Sequence, residues 1–142
     1  MNLKKRLLLL AIPAGLAGGY FLIEAVTGGN VAKEMVAVTI PELSKVALTG
    51  QEAFGENCAA CHGKNAGGTD QGPPLIHDIY NPGHHGDRSF YRAVRQGVRA
   101  HHWPFGNMPP QNQVMDTEIK EIITFIRETQ IANGIKPKAH KM

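Results

Sequence analysis

Residues 58–62 read Cys58-Ala59-Ala60-Cys61-His62, and the chain's only two cysteines both lie in this pentapeptide. C-x-x-C-H is the attachment sequence for c-type haem. On a turn of helix, residues three apart share a face. Both thiols then meet one porphyrin edge and form thioethers to its vinyl groups, while the histidine that follows ligates the iron. A chain built this way folds around a large flat apolar group, which adds core that a short chain lacks alone. Two other chemistries use paired cysteines. A disulfide or thioredoxin-type pair does not require His62 and expects a βαβ pattern, which the sequence does not offer. A zinc site requires a fourth ligand, and no second Cys or His pair stands at zinc-ribbon spacing.

A length of 142 residues allows one domain. The formal charge of +3 is carried largely by the two ends, with Lys4, Lys5 and Arg6 at one and Lys136, Lys138 and Lys141 at the other. No aromatic residues interleave with basic ones, so nucleic acid is not an expected partner. The basic start precedes an apolar run from Leu7 to Ile23. That is the layout of an export signal or a membrane anchor. The run falls slightly short of the roughly 20 residues of a usual span. Cutting after Gly15-Leu16-Ala17 leaves Tyr20-Phe21-Leu22-Ile23 exposed, so an uncleaved transmembrane anchor is preferred to a removed signal helix. In either case the positive residues stay inside and the remainder is exported.

The chain divides into a signal-anchor segment (1–26), a linker (27–42), a folded domain (43–133) and a basic tail (134–142). The fold class expected of the domain is all-α. A first helix starts at Ser44 or at Thr49, where Thr49-Gly50-Gln51-Glu52 has the form of a capping box, and ends in the Cys58–His62 turn, with Gly63 as its stop. Residues 63–86 are rich in Gly, Pro, Asn and Asp. A loop this long inside a small domain fits if it wraps a cofactor. A second helix spans 87–96, with Phe90, Val94 and Val98 as a buried stripe and Gly97 as its stop. A third spans 116–129, with Asp116 as N-cap and Ile119, Ile122, Ile123 and Ile126 on one face. Glu118, Lys120, Glu121 and Arg127 face elsewhere.

The second axial position of the iron decides the function. Met108 is the preferred ligand. It sits in Gly106-Asn107-Met108-Pro109-Pro110, where the prolines stiffen the backbone, and thioether sulfur suits a low-spin haem of raised potential. Met115 lies beside the helix start without flanking prolines and reads as a core or surface methionine. His84, His85, His101 and His102 are chemically competent alternatives, and an open site is a third possibility.

With C-x-x-C-H, a Pro-rich loop, an M-P element and a terminal amphipathic helix in that order, the chain resembles the class I mono-haem c-type cytochromes over about Leu43 to Thr129. Gly50 and Phe54 look like the glycine and aromatic of that family's first helix, crossing the last helix at Ile122, Phe125 and Ile126. Gly72-Pro73-Pro74-Leu75 looks like its G-P-x-L segment. The resemblance implies that the Pro73 carbonyl accepts the Nδ1–H of His62 and orients it, and that Asn107-Met108-Pro109 is the methionine loop. It also implies haem attachment in the exported compartment, so the domain is expected in the bacterial periplasm, anchored to the inner membrane or soluble after cleavage. The histidine pairs 84/85 and 101/102 exceed the family pattern. Trp103 reads either as a donor to a haem propionate or as a packing residue.

Ligation by His62 and Met108 leaves no open coordination site, so the expected role is electron transfer rather than catalysis. The chain is then a carrier or the haem subunit of a respiratory or dehydrogenase complex. Arg88, Arg92 and Arg95, with Arg99 beyond Gly97, fall near one helix face. They read either as a solvated face or as a docking patch for an acidic redox partner. The alternative function is a haem enzyme or gas sensor with an open or displaceable sixth ligand.

Overall fold

The computed structural model describes residues 34–138. The proposed anchor segment, the first part of the linker and the end of the tail lie outside them. Among the described residues no helix is long and apolar enough to cross a membrane.

Among the described residues four helices form: α1 (Lys45–Asn57), α2 (Ala59–His62), α3 (Asp87–Gln96) and α4 (Asp116–Ala132), with a 3-10 turn at Asp78–Tyr80 between α2 and α3. Among the described residues the only β feature is an isolated antiparallel bridge, Val98 with Met108. Of the two expected starts for the first helix, Ser44 is the one used. Its hydroxyl accepts from the Ala47 N–H, so a free amide of the first turn is satisfied. The capping-box pattern at Thr49 falls inside the helix instead, because the stronger signal lies upstream. α3 has the bounds read from the sequence, with Gly97 in the left-handed region at its end. α4 differs slightly at both ends. Asp116 is its first residue rather than the cap, Glu118 accepts the Met115 N–H at 2.6 Å, and the helix runs on to Ala132.

α1 and α4 carry the main packing. At Gly50 the backbones nearly touch, and a Cβ there would overlap the Glu121 carbonyl and crowd the Ile122 nitrogen. Next to this crossing Phe54 and Phe125, both fully buried, meet with ring centroids 5.5 Å apart. Burying two such rings is worth roughly 3–6 kcal/mol, and the tilted pair adds about 1, which is comparable with the whole net stability of a small domain. Ile119, Ile122, Ile123 and Ile126 are all buried, as their spacing requires.

The domain is larger than the sequence reading made it. In residues 34–40 exposed and half-buried positions alternate, and Val38 and Ile40 pack on the core. Met35 and Val36 donate to the Gly68 and Gly67 carbonyls, and Asn133 exchanges two hydrogen bonds with the Thr39 backbone, at 3.0 and 2.7 Å. The second half of the linker is thus part of the fold, held by partners that lie far away in sequence. The start of the tail is anchored too. Ile135 is buried, and Lys138 pairs with Asp78.

The crossing predicts opposite effects at two glycines of one helix. Gly50→Ala forces the backbones apart and lowers unfolding free energy by about 1–3 kcal/mol or more. Gly55 is exposed and has open space where a Cβ would sit, so Gly55→Ala raises it by about 0.5–1 kcal/mol. Urea titration of both variants checks the contrast.

Candidate haem-binding site

α2 carries the pentapeptide. Cys58 terminates α1 by donating its N–H to the Phe54 carbonyl at 2.8 Å, and its own carbonyl accepts from His62 at 2.9 Å. Residues 58–62 therefore form one helical turn built on the end of α1. The carbonyls at its far end find partners nearby. Thr69 Oγ1 donates to the Cys61 carbonyl at 2.6 Å, and the Gly68 N–H to that of His62 at 2.7 Å. Gly72 lies against the Cys61 backbone so closely that a Cβ would sit 2.9 Å from its carbonyl oxygen. That approach lays the Gly72-Pro73-Pro74 segment over the turn.

His62 is buried, and its Nδ1 lies 2.9 Å from the Pro73 carbonyl oxygen. The carbonyl only accepts, so the proton sits on Nδ1 and Nε2 keeps its lone pair for a metal. Burial pulls the His62 pKa below its ordinary value, and the Pro73 bond opposes this in part. Low basicity toward protons favours the neutral ring that ligation requires. Cys58 is pushed up to about 11 by burial, with Cys61 adding to the rise. A redox-active C-x-x-C pair needs a lowered thiol pKa, so the environment of Cys58 argues against a thioredoxin-type role. Cys61 is exposed.

Two cavities flank the turn. The larger, about 390 Å³, lies between α3, α4 and the pentapeptide, and is lined by Phe90, Val94, Val98 and the four α4 isoleucines among others. The smaller, about 170 Å³, is bounded by Cys61, Pro73 and the 105–109 segment. They share only Cys58, His62 and Met108. Met108 is fixed by its backbone, which exchanges two hydrogen bonds with Val98 at 2.9 and 3.0 Å. The structure thus brings Cys58, Cys61, His62, Pro73 and Met108 to the borders of two adjoining cavities, which we treat as the two halves of one slot. Met115 is 61 % exposed and borders neither cavity. Of the four histidines weighed as iron ligands, His85 and His101 line the larger cavity and His84 and His102 line neither.

An apolar slot edged by two cysteines, with an imidazole and a thioether bordering both halves, fits a covalently attached haem. The family model described as Cytochrome c matches residues 47–130. The chain belongs to the cytochrome c family. It matches no curated protein. Its cofactor is covalently bound haem c with its iron, and its chemistry is haem-based electron transfer. Cys58 and Cys61 lie within the matched range and are the only thiols in the chain.

Several contributors escaped the sequence reading. Arg127, expected to face away, is instead a central tie. It donates to the Tyr80 carbonyl at 2.8 Å, to the His85 carbonyl at 2.5 Å, to Gln130 at 2.6 Å and to Asp87 at 2.8 Å, and its guanidinium lies over Phe90. Gln130 is buried and donates to the Leu75 and Tyr80 carbonyls. Both continue the Ile119–Ile126 stripe by steps of three and four, which was the available signal. Glu34, which accepts the Asn65 N–H at 2.6 Å, had none. Trp103 packs edge-on to His77, and its Nε1 is buried without a hydrogen bond of normal geometry. It lies near the Tyr80 hydroxyl, whose pKa burial raises and the indole partly lowers.

Arg127→Met leaves two loop carbonyls without their donor and lowers stability by about 2–4 kcal/mol. Arg127→Lys recovers little of this, because an ammonium cannot span the same partners. Thermal unfolding of the haem-loaded protein measures both.

Proposed function

We propose that this chain is a single-haem electron carrier in which Cys58 and Cys61 carry the thioethers and His62 and Met108 ligate the iron from opposite sides. One observation supports it above the rest: Cys58, His62 and Met108 are the residues common to both halves of the slot. When bound, the haem supplies a one-electron Fe(III)/Fe(II) couple. The protein's part is to hold both ligands still. Pro73 fixes the His62 ring, and the bonds between Val98 and Met108, with Pro109 and Pro110 beyond, restrain the thioether. The apolar lining keeps water from the metal and supports a raised potential. Trp103 borders neither cavity and its indole lies near the Tyr80 hydroxyl, which supports a packing role over donation to a propionate. If His62 and Met108 both held the iron, no position would be left for a substrate, which supports a carrier and not an enzyme.

The exposed edge at Ala60 and Cys61 is the proposed point of electron exit. Arg88 and Arg92 are exposed on α3 and, among the described residues, form no ion pair. They are the cations we assign to docking of an acidic redox partner. Arg95 pairs with Asp116 and donates to the Val114 carbonyl at 2.7 Å, so we leave it out of the proposed patch. The basic and apolar N-terminal segment supports a membrane tether with the haem domain in the bacterial periplasm, as a free carrier or as the haem subunit of a respiratory or dehydrogenase complex.

Met108→Ala removes the thioether–iron absorption band while the haem stays attached, and opens the reduced protein to carbon monoxide. Rapid stoichiometric carbon monoxide binding by the wild type defeats the assignment in favour of a gas sensor or haem enzyme, for which His85 or His101 is the displaceable ligand. Separately, Arg88→Glu with Arg92→Glu slows electron exchange with an acidic partner protein at low salt, and the difference fades as ionic strength rises. Stopped-flow rates across a salt series measure it.

A further inference from the structure

The histidines that exceed the family pattern converge in space. His84 and His85 follow the 3-10 turn, His102 lies in the loop after α3, and their ligating nitrogens all fall within 4.8 Å of one another. His101 adjoins them, with its ring centroid 4.3 Å from that of His102. We propose that His84, His85 and His102 form a second metal site, distinct from the haem iron, that takes a late first-row transition ion such as Zn²⁺ or Cu²⁺.

One pair of the three already has the spacing of ligands to a single ion. With metal–nitrogen bonds of about 2.0–2.1 Å, two imidazoles on a tetrahedral centre stand roughly 3.3–3.4 Å apart. His84 Nε2 and His102 Nε2 are 3.4 Å apart. That is long for a hydrogen bond, whose usual range for an N–H donor ends near 3.2 Å, and suited to a shared metal. His85 is already oriented, because its Nδ1 lies 2.7 Å from the Ile79 carbonyl. The proton is held on Nδ1 and Nε2 is left free, which is the usual outer support of a metal-bound histidine. His101, whose Nδ1 lies 2.8 Å from the Arg99 carbonyl, stands outside this group of three, so water is the source of a fourth ligand.

Both loops are pinned, which reduces the ordering that binding requires. The His84 and His85 amides donate to the Asn81 carbonyl at 3.0 and 2.8 Å, and Asn81 is itself buried. The loop bearing His102 is closed at its base by the Val98–Met108 bridge and by the Ala100 N–H donating to Asn107. Burial first, and then the neighbouring histidines, lower the pKa values of His85 and His102, which helps keep the rings neutral. The three ligands include no carboxylate, and Arg127 donates to the His85 carbonyl. This environment disfavours calcium or magnesium and leaves ions that prefer imidazole nitrogen. His84 and His102 are exposed, so an ion arrives directly from solvent. The site is built from protein ligands alone and rests on the proposed His62 and Met108 ligation of the haem, because His85 borders the larger cavity and cannot serve both metals.

The test is Zn²⁺ titration of the haem-loaded full chain after chelator treatment, followed by calorimetry and metal analysis. One equivalent binds to the wild type. His84→Ala with His102→Ala weakens binding by at least the roughly 10–100-fold that loss of a mere supporting partner costs. Zinc-edge X-ray absorption of the wild-type complex, which needs no variant, reads at least three imidazoles on the metal. Absence of stoichiometric uptake, unchanged affinity in the double variant, or a first shell with fewer than three imidazoles overturns the proposal.

Discussion

The contact between the backbones of α1 and α4 at Gly50 is the constraint on which the haem site depends. Because no side chain separates the helices there, Phe54 reaches Phe125 and the end of α1 is set at a fixed height above the isoleucine face of α4. The pentapeptide continues from that end. Its position over the slot therefore starts from a helix crossing about two turns away.

From that anchor, polar ties do the rest. The turn needs its terminal carbonyls satisfied, and Thr69, Gly68 and the Pro73 segment are drawn onto it. The same hydrogen bond that holds Pro73 in place selects the tautomer of His62. On the opposite wall, Arg127 and Gln130 hold the 75–85 loop against α4. A loop of this length without regular structure is stable because its carbonyls are met by side chains of a rigid helix, and because one face of it borders the cofactor cavity.

The two loops after the 3-10 turn and after α3 serve more than one purpose. Their inner faces carry His85, His101 and Met108 toward the larger cavity, and their outer faces bring His84 and His102 together. Met108 and His102 share a loop whose base is a single bridged pair.

Much of this was legible in the chain. The cofactor followed from five consecutive residues, because covalent attachment demands a fixed local spacing. The bounds of α3 and the buried face of α4 followed from periodicity and from Gly97, since these too are local. Glu34, Asn133 and the 34–40 segment were not legible, nor were the partners of Arg127 or the pairing of Arg95 with Asp116. Their partners lie from about twenty to about ninety residues away, and no spacing rule reaches so far. The sequence alone determined which group the protein binds and which turn holds it, because those are properties of neighbours along the chain. Only the tertiary structure decided that the 34–40 segment joins the fold, that Arg127 ties down the loop before α3, and that four scattered histidines form one cluster. Those depend on how helices cross and loops close in three dimensions.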